Sequence, residues 1–116
     1  MSEAPALVVV GAHPDDCEIT AGGVAALTAA RGGRVLHVAL TNGDKGHQTL
    51  SGAKLATMRR SEARAAAAAC GAEAIVLDNH DGELMPTLEH RYELIRILDR
   101  RLWRRTRGQG RLCRGL

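Results

Sequence analysis

Three short apolar runs along the chain predict three β-strands. The first run, residues 6–10, is continuous and rich in valine, and similar runs follow at residues 34–40 and 74–77. A continuous apolar run of this length is typical of a strand that neighbouring layers cover on both faces. The three runs are therefore expected to form the interior of a parallel sheet.

Longer segments with apolar residues at helical spacing lie between and after these runs. They predict helices over residues 20–31, 54–70 and 88 to about 101. We expect Val24 and Leu27 to lie on the buried side of the first helix, because their spacing puts them on one helical face. Thr87 directly precedes the third helix and is a candidate N-cap.

The alternation of strands and helices sets the expected fold class. Short strands that alternate with helices imply parallel pairing through right-handed crossovers. We expect an α/β fold with a parallel sheet, a Rossmann-like three-layer α/β/α arrangement of which residues 1–101 form the N-terminal half. Residues 102–116 are rich in Arg and Gly and have no strand pattern, so we expect a disordered tail or a non-native continuation.

The net charge of +3 hides an uneven distribution along the chain. Residues 1–90 hold 7 Lys or Arg and 11 Asp or Glu, whereas residues 91–116 hold 9 Arg and 2 acids. A basic arm of this kind is one way to bind nucleic acid. Aromatic residues make up only 2% of the chain, however, and no recognition motif is present, so we expect no specific nucleic-acid partner.

The cysteines and the hydropathy pattern bear on the cellular compartment. Three cysteines without a CxxC pair argue against a disulfide framework and for a reducing environment. No apolar run approaches the ~20 residues of a membrane-spanning helix, and the first run lacks the basic flank of a signal peptide. We therefore expect a cytoplasmic protein without a membrane span, and the oligomeric state stays open.

The strongest concentration of chemically useful side chains follows the first strand. There the chain reads Gly-Ala-His-Pro-Asp-Asp-Cys-Glu over residues 11–18. His13 and Asp16 offer a nitrogen and an oxygen of the kind that zinc accepts, and Asp15 between them is placed to act on a metal-bound water. The alternative is an ordinary helix N-terminus, where aspartate is favoured by capping and by the helix dipole.

The other candidate residues follow the second and third strands. Either Arg59 or Arg60 is a candidate for binding substrate hydroxyls, although the pair also fits a solvated helix face. Asp81, in an Asp-Gly pair, is either a hydroxyl acceptor or part of a simple turn, and His80 is a candidate for a further metal ligand. The loop at residues 41–46 lacks a nucleotide-binding pattern and lines the site at most.

The motif Ala-His-Pro-Asp-Asp-x-Glu followed by Gly-Gly resembles the signature of the PIG-L/LmbE-like N-deacetylases. Three shorter matches follow in the same order, namely Thr-Asn-Gly-Asp-x-Gly, Arg-x-x-Glu-Ala and Asp-Gly. The resemblance implies that His13 and Asp16 bind Zn²⁺ and that Asp15 is the general base. It also implies that Arg59 and Asp81 contact the sugar of a small-molecule N-acetylglucosaminide.

This resemblance implies a zinc-dependent hydrolase that removes the N-acetyl group from an N-acetylglucosamine-containing substrate through a metal-activated water. It leaves open which group is attached to the sugar. The family also has a later His-x-x-His segment that supplies the third zinc ligand, and this sequence has no counterpart of it. The alternative is therefore an inactive truncated fragment or a degraded paralogue that lacks the third metal ligand.

Overall fold

The computed structural model describes residues 6–103, with side chains described through Arg101. Its strands and helices are β1 (Ala6–Gly11), α1 (Asp16–Ala30), β2 (Arg34–Ala39), α2 (Gly52–Ala69), β3 (Glu73–Val76) and α3 (Leu88–Leu98), followed by a π-helical turn (Asp99–Trp103). The chain divides into two compact units at residues 84 and 85. Apart from its first two residues, the predicted tail 102–116 lies outside the described part.

The first unit is built on a three-stranded sheet in the order β1-β2-β3. Both pairings are parallel, with Val8 opposite Leu36 in the first and Val38 opposite Ile75 in the second. Parallel neighbours need a crossover connection, which α1 and α2 supply. The predicted α/β fold with a parallel sheet is confirmed, and each strand lies within a residue of its predicted limits.

The central and edge strands differ in burial, which corrects one expectation. Five of the six residues of β2 are buried, so this strand is covered on both faces as expected. Within the described residues β1 has a hydrogen-bonded neighbour on one side only, and Val10 is 44% exposed. The expectation that β1 is covered on both faces is wrong, because none of its residues is buried and an apolar run alone does not predict which layers cover a strand.

Helix α1 begins at Asp16, four residues before the predicted start, and it turns a different face to the sheet. Val24 and Leu27 are 56% and 63% exposed, so their predicted burial is wrong. The buried residues are the small Cys17 and Ala25, and the Cys17 thiol approaches the carbonyl oxygen of Val9 at 3.4 Å. Apolar residues lie on nearly every side of the helix, so polarity does not determine which side packs against the sheet. The side with small side chains does so.

Helix α2 packs through Leu55 and a row of alanines, and a glycine lets its end approach α1. Gly71, directly after the helix, has a φ of +77°, which a side chain disfavours. A Cβ built at Gly71 would lie 2.6 Å from the Cβ of Ala29. This position therefore needs glycine for both its backbone conformation and its space.

His37 lies in the middle of β2 and is 3% exposed. Neither of its ring nitrogens has a hydrogen-bond partner among the described residues. Burial lowers the pKa of His37, since the charged form cannot be solvated there, although Glu18 opposes this effect. The imidazole therefore occupies the sheet as a neutral group.

The second unit contains α3. The predicted cap is confirmed, because the side chain of Thr87 accepts a hydrogen bond from the backbone N–H of His90 at 3.3 Å. The helical segment continues as the π-helical turn through Trp103, so the predicted limit near residue 101 is close to the observed one. Among the helices of the described range, none has the length and apolar character that would allow it to cross a membrane.

Candidate functional site

The loops that leave the three strands lie side by side at one edge of the sheet. The hydroxyl and backbone N–H of Thr41 both donate to the carbonyl of Ala12, at 2.7 and 3.0 Å. The backbone N–H of Asn42 donates to the carbonyl of Asn79 at 2.9 Å. Parallel strands bring their carboxyl ends to the same edge, and these bonds hold the loops together there.

His13 and Asp16 face each other at the exit of β1. Their atoms Nδ1 and Oδ2 are 3.4 Å apart, and Asp16 Oδ2 also accepts the backbone N–H of His13 at 2.8 Å. Their side chains are 47% and 37% exposed, so both are accessible from solvent. The structure brings the two predicted zinc ligands together.

Asp15 is the N-cap residue of α1, but its side chain makes no capping hydrogen bond. The residue is exposed and lines the cleft beside His13. The alternative, that the Asp15 side chain caps the helix, is therefore not supported. An uncommitted carboxylate next to a histidine and a second carboxylate is suited to accept a proton.

Asp81 reaches across from the exit of β3 to the other face of the His13 ring. The Asp81 Oδ1 atom lies 2.9 Å from His13 Nε2, and the Asp81 side chain is only 17% exposed. A carboxylate only accepts, so the Nε2–H group of the histidine is the donor. His13 thus has a carboxylate beside each ring nitrogen, and the contact from Nε2 to Asp81 is the shorter one.

Asp44, which sequence reasoning treated only as part of a tight loop, joins the exits of β2 and β3. Its side chain is 7% exposed, and its two oxygens accept from His80 Nδ1 at 2.6 Å and from the backbone N–H of Asp81 at 3.0 Å. No local pattern marks this role, because both partners lie on a different loop. An acid within a Gly-rich turn was the only available signal.

His80 was a candidate for a further metal ligand, and the structure gives Nδ1 to Asp44 instead. The hydrogen bond to that carboxylate raises the pKa of His80, and the same bond lowers the pKa of Asp44 with help from the N–H of Asp81. The pair is a charge-assisted bond between the two loops. Beside it, the exposed side chains of Lys45 and Glu83 join the same loops at 2.9 Å.

The structure distinguishes the two arginines of α2. The guanidinium of Arg59 donates to Glu62 at 2.9 Å and to the carbonyl of Gly46 at 3.0 Å, and Arg59 lines the cleft. Arg60 instead lies 3.8 Å from Asp78 outside that lining. Of the two, Arg59 is the one placed to meet a ligand, which spacing alone left open.

A cleft of about 480 Å³ in the first unit is lined by His13, Asp15, Asp16, Arg59 and Asp81 among others. Its lining has more acids than bases, and it includes Glu18 and Glu62, which sequence reasoning did not single out. Glu18 belongs to the first motif and Glu62 follows Arg59 by one helical turn. The excess of acidic side chains makes the cleft suited to bind a cation. Its one arginine, Arg59, can donate hydrogen bonds to a polar substrate.

Cys17 is excluded as a nucleophile in this cleft. Its thiol is buried in the packing of α1 on the sheet, and burial raises its pKa. Among residues 6–101, no group of three or more His, Cys, Asp or Glu side chains is arranged to hold a metal ion. The described residues therefore bring two predicted ligands together and do not present a complete set.

A comparison with protein families gives a match over most of the chain. The profile of PIG-L, described as GlcNAc-PI de-N-acetylase, matches residues 8–107. Among curated protein sequences, none matches this chain significantly.

Several solved structures share the fold. The N,N'-diacetylchitobiose deacetylase from Pyrococcus horikoshii is 34% identical with a TM-score of 0.77, and the match covers 84% of this chain and 38% of that one. GalB from Pseudomonas putida, a 4-carboxy-2-hydroxymuconate hydratase, is 30% identical with a TM-score of 0.74, covering 82% and 42%. The conserved protein TT1542 from Thermus thermophilus is 32% identical with a TM-score of 0.68, covering 81% and 41%. The aligned region thus spans well under half of each of these structures.

Proposed function

This chain belongs to the PIG-L family, described as GlcNAc-PI de-N-acetylase, and from that we propose that it carries the first part of a zinc-dependent N-deacetylase site. The substrate is a small molecule that contains N-acetylglucosamine, and the reaction is hydrolysis of its acetamide bond. The observation that carries the proposal is the grouping of His13 and Asp16 with the uncommitted carboxylate of Asp15 in one cleft. The deacetylase among the similar structures supports the substrate class.

The spacing of the two proposed ligand atoms suits zinc. Two ligands that lie 2.0–2.2 Å from a tetrahedral ion are about 3.3–3.6 Å apart. His13 Nδ1 and Asp16 Oδ2 are 3.4 Å apart, a distance that suits two ligands of one tetrahedral ion. A third protein ligand, which catalytic zinc sites usually have, would come from outside the described cluster.

A bound zinc ion would polarise the acetyl carbonyl and lower the pKa of a water molecule. In the proposal, Asp15 takes a proton from the attacking water at its carboxylate, and the departing amine takes up a proton as the carbon–nitrogen bond breaks. Arg59 donates to sugar hydroxyls from one wall of the cleft. Asp81, which also lines the cleft, accepts from a sugar hydroxyl.

Zinc binding by the purified chain tests the proposal first. We expect one tightly bound zinc per chain, its loss in His13→Ala, and its retention in the matched control His90→Ala, because His90 lies on α3 in the other unit. Equal zinc content in all three proteins, or no specific zinc in any of them, would overturn the proposal for this chain. The second result would leave the inactive-fragment alternative.

Acetate release from N,N'-diacetylchitobiose and from an N-acetylglucosaminyl inositol lipid then tests the reaction. We expect acetate release that depends on zinc and on Asp15. Hydration of an unsaturated carboxylic acid without acetate release would favour the second candidate, a hydratase, for which GalB at 30% identity is the supporting observation. The two reactions are distinguished by their products.

A further inference from the structure

We propose that Asp81 is a positioning residue for the zinc ligand His13, which it orients by accepting the Nε2–H group. This role is additional to the sugar contact of the proposed function, and it rests on that function because it concerns the same metal. The Oδ1 atom of Asp81 lies 2.9 Å from His13 Nε2. With the proton on Nε2, Nδ1 keeps its lone pair on the side of Asp16, where it would be available to bind a zinc ion.

The geometry of the His13 ring supports this assignment. Its Nδ1 atom is the one that lies 3.4 Å from Asp16, and its Nε2 atom is the one bonded to Asp81. A metal-bound histidine usually donates its second ring N–H to a carboxylate, which fixes the tautomer and raises the basicity of the ligand nitrogen. The carboxylate–histidine part of such an arrangement is present in this cleft, with Nδ1 of His13 left to bind a metal ion.

The backbone of Asp81 is itself held in position by a hydrogen bond to Asp44. Its backbone N–H donates to Asp44 at 3.0 Å, and the Asp44 side chain is almost fully buried. The chain of contacts runs from Asp44 through Asp81 to His13, and from a buried to a half-exposed group. A purely substrate-binding carboxylate would need neither the ring contact nor this support.

One carboxylate serves both roles because its oxygens differ in position. Oδ1 is the atom bonded to His13, which leaves Oδ2 as the oxygen that can accept from a substrate hydroxyl. Gly46 and Asp81 both line the cleft. Asp81 therefore joins the metal ligand to the substrate wall.

The first test uses the metal-free chain and needs no substrate. Nitrogen-15 NMR of the histidine rings reports which nitrogen of His13 carries the proton. We expect the Nε2–H tautomer in the natural chain and a mixture of tautomers in Asp81→Ala. A dominant Nδ1–H tautomer in the natural chain, or an unchanged tautomer in Asp81→Ala, overturns the proposal.

The second test measures zinc affinity. Loss of an outer partner of a ligand histidine weakens metal binding about 10- to 100-fold, and we expect a loss in this range for Asp81→Ala. Glu83→Ala is the matched control on the same loop, since its side chain forms an exposed ion pair with Lys45 and does not line the cleft, and we expect less than about a twofold change. Similar zinc affinities of Asp81→Ala and the natural chain overturn the proposal.

A milder variant covers the case in which Asp81→Ala fails to fold. Asp81→Asn keeps the backbone bond to Asp44 and the side-chain shape, so we expect a folded chain with an intermediate loss of tautomer preference. If Asp81→Ala only raises KM while the tautomer and zinc affinity stay unchanged, Asp81 contacts the sugar alone. That result overturns the positioning role and leaves the deacetylase proposal standing, whereas a natural chain that binds no zinc overturns the deacetylase proposal alone.

Discussion

At the exit of β1 the side chains of His13 and Asp15 are open to solvent, whereas at the exits of β2 and β3 the carboxylate of Asp44 is buried and bonded to the neighbouring loop. In the proposed function, the first loop carries the groups that exchange partners with a metal, a water and a substrate. On the other two loops, Asp44 and His80 are bonded to each other, and Asp81 is bonded to His13. The comparison indicates that the proposed metal ligands and proton acceptor lie at the first strand exit, whereas the other two exits mainly hold that group in place.

The largest expected effect falls on the open loop. We expect Asp15→Asn to lower kcat for acetate release by about 100- to 10,000-fold, because a proton acceptor is lost. Stability should hardly change, since asparagine caps helices as well as aspartate and the Asp15 side chain makes no capping bond. Kinetics and thermal unfolding check both parts, and retention of more than about a tenth of the activity would contradict the role of Asp15.

The next effect separates the two arginines of α2. We expect Arg59→Met to raise KM about tenfold with a smaller effect on kcat, because hydrogen bonds from a charged group to the substrate are lost. Arg60→Met is the matched control, since Arg60 is outside the cleft lining and lies near Asp78. Steady-state kinetics with a soluble N-acetylglucosaminide decides, and equal changes in the two variants would contradict the assignment.

The sheet interior extends the comparison to a polar group without a partner among the described residues. His37 titrates near its ordinary value of 6.5 when unfolded, and burial lowers its pKa in the folded chain. Its effect is to make the folded chain less stable as pH falls below 6.5 toward the lowered value. His37→Leu should raise the free energy of unfolding by about 1 kcal/mol, because an unsatisfied buried group is removed.

Denaturant unfolding of both proteins at about pH 5 and about pH 8 checks this. The gain from His37→Leu should be larger at the acid end, where the natural chain takes up a proton on this ring when it unfolds. An equal gain in unfolding free energy at both pH values would contradict the prediction that protonation of His37 on unfolding destabilises the chain at acid pH.

The smallest expected effect concerns the bond between the two supporting loops. Asp44→Asn should lower the pKa of His80 toward its ordinary value, because the carboxylate that favours the imidazolium is lost. In the natural chain the raised pKa stabilises the fold at acid pH, and this contribution is lost as pH rises through the raised value. NMR titration of His80 measures the change, with Glu83→Gln as a milder comparison, since Glu83 acts on His80 only at longer range.

The sequence predicted the framework well, because strands and helices follow from local apolar patterns. It failed for Val24 and Leu27, where α1 is apolar on nearly every side and only the space beside the sheet selects Cys17 and Ala25. The failure lies in packing, which a pattern along one chain segment does not contain.

The candidate site divides in the same way. His13, Asp15 and Asp16 lie within four residues of each other in the sequence, so a single motif predicts all three as site residues. The bond of Asp44 to His80 joins residues 36 positions apart, and the side chain of Arg59 is distinguished from that of Arg60 only by what lies opposite it. Contacts between loops depend on the folded sheet, and no single stretch of the sequence encodes them.

The order of strands in the sheet has a consequence for how the molecule folds. β2 and β3 each pair with the strand that precedes them in the chain, so each pairing closes a loop across one helix, shorter than the loop closed by a contact between the first and third strand exits. The contact between His13 and Asp81 spans 68 residues and depends on both pairings being in place. Assembly of the cleft should therefore be a late event, and the ability to bind metal should report that the whole three-stranded unit has folded.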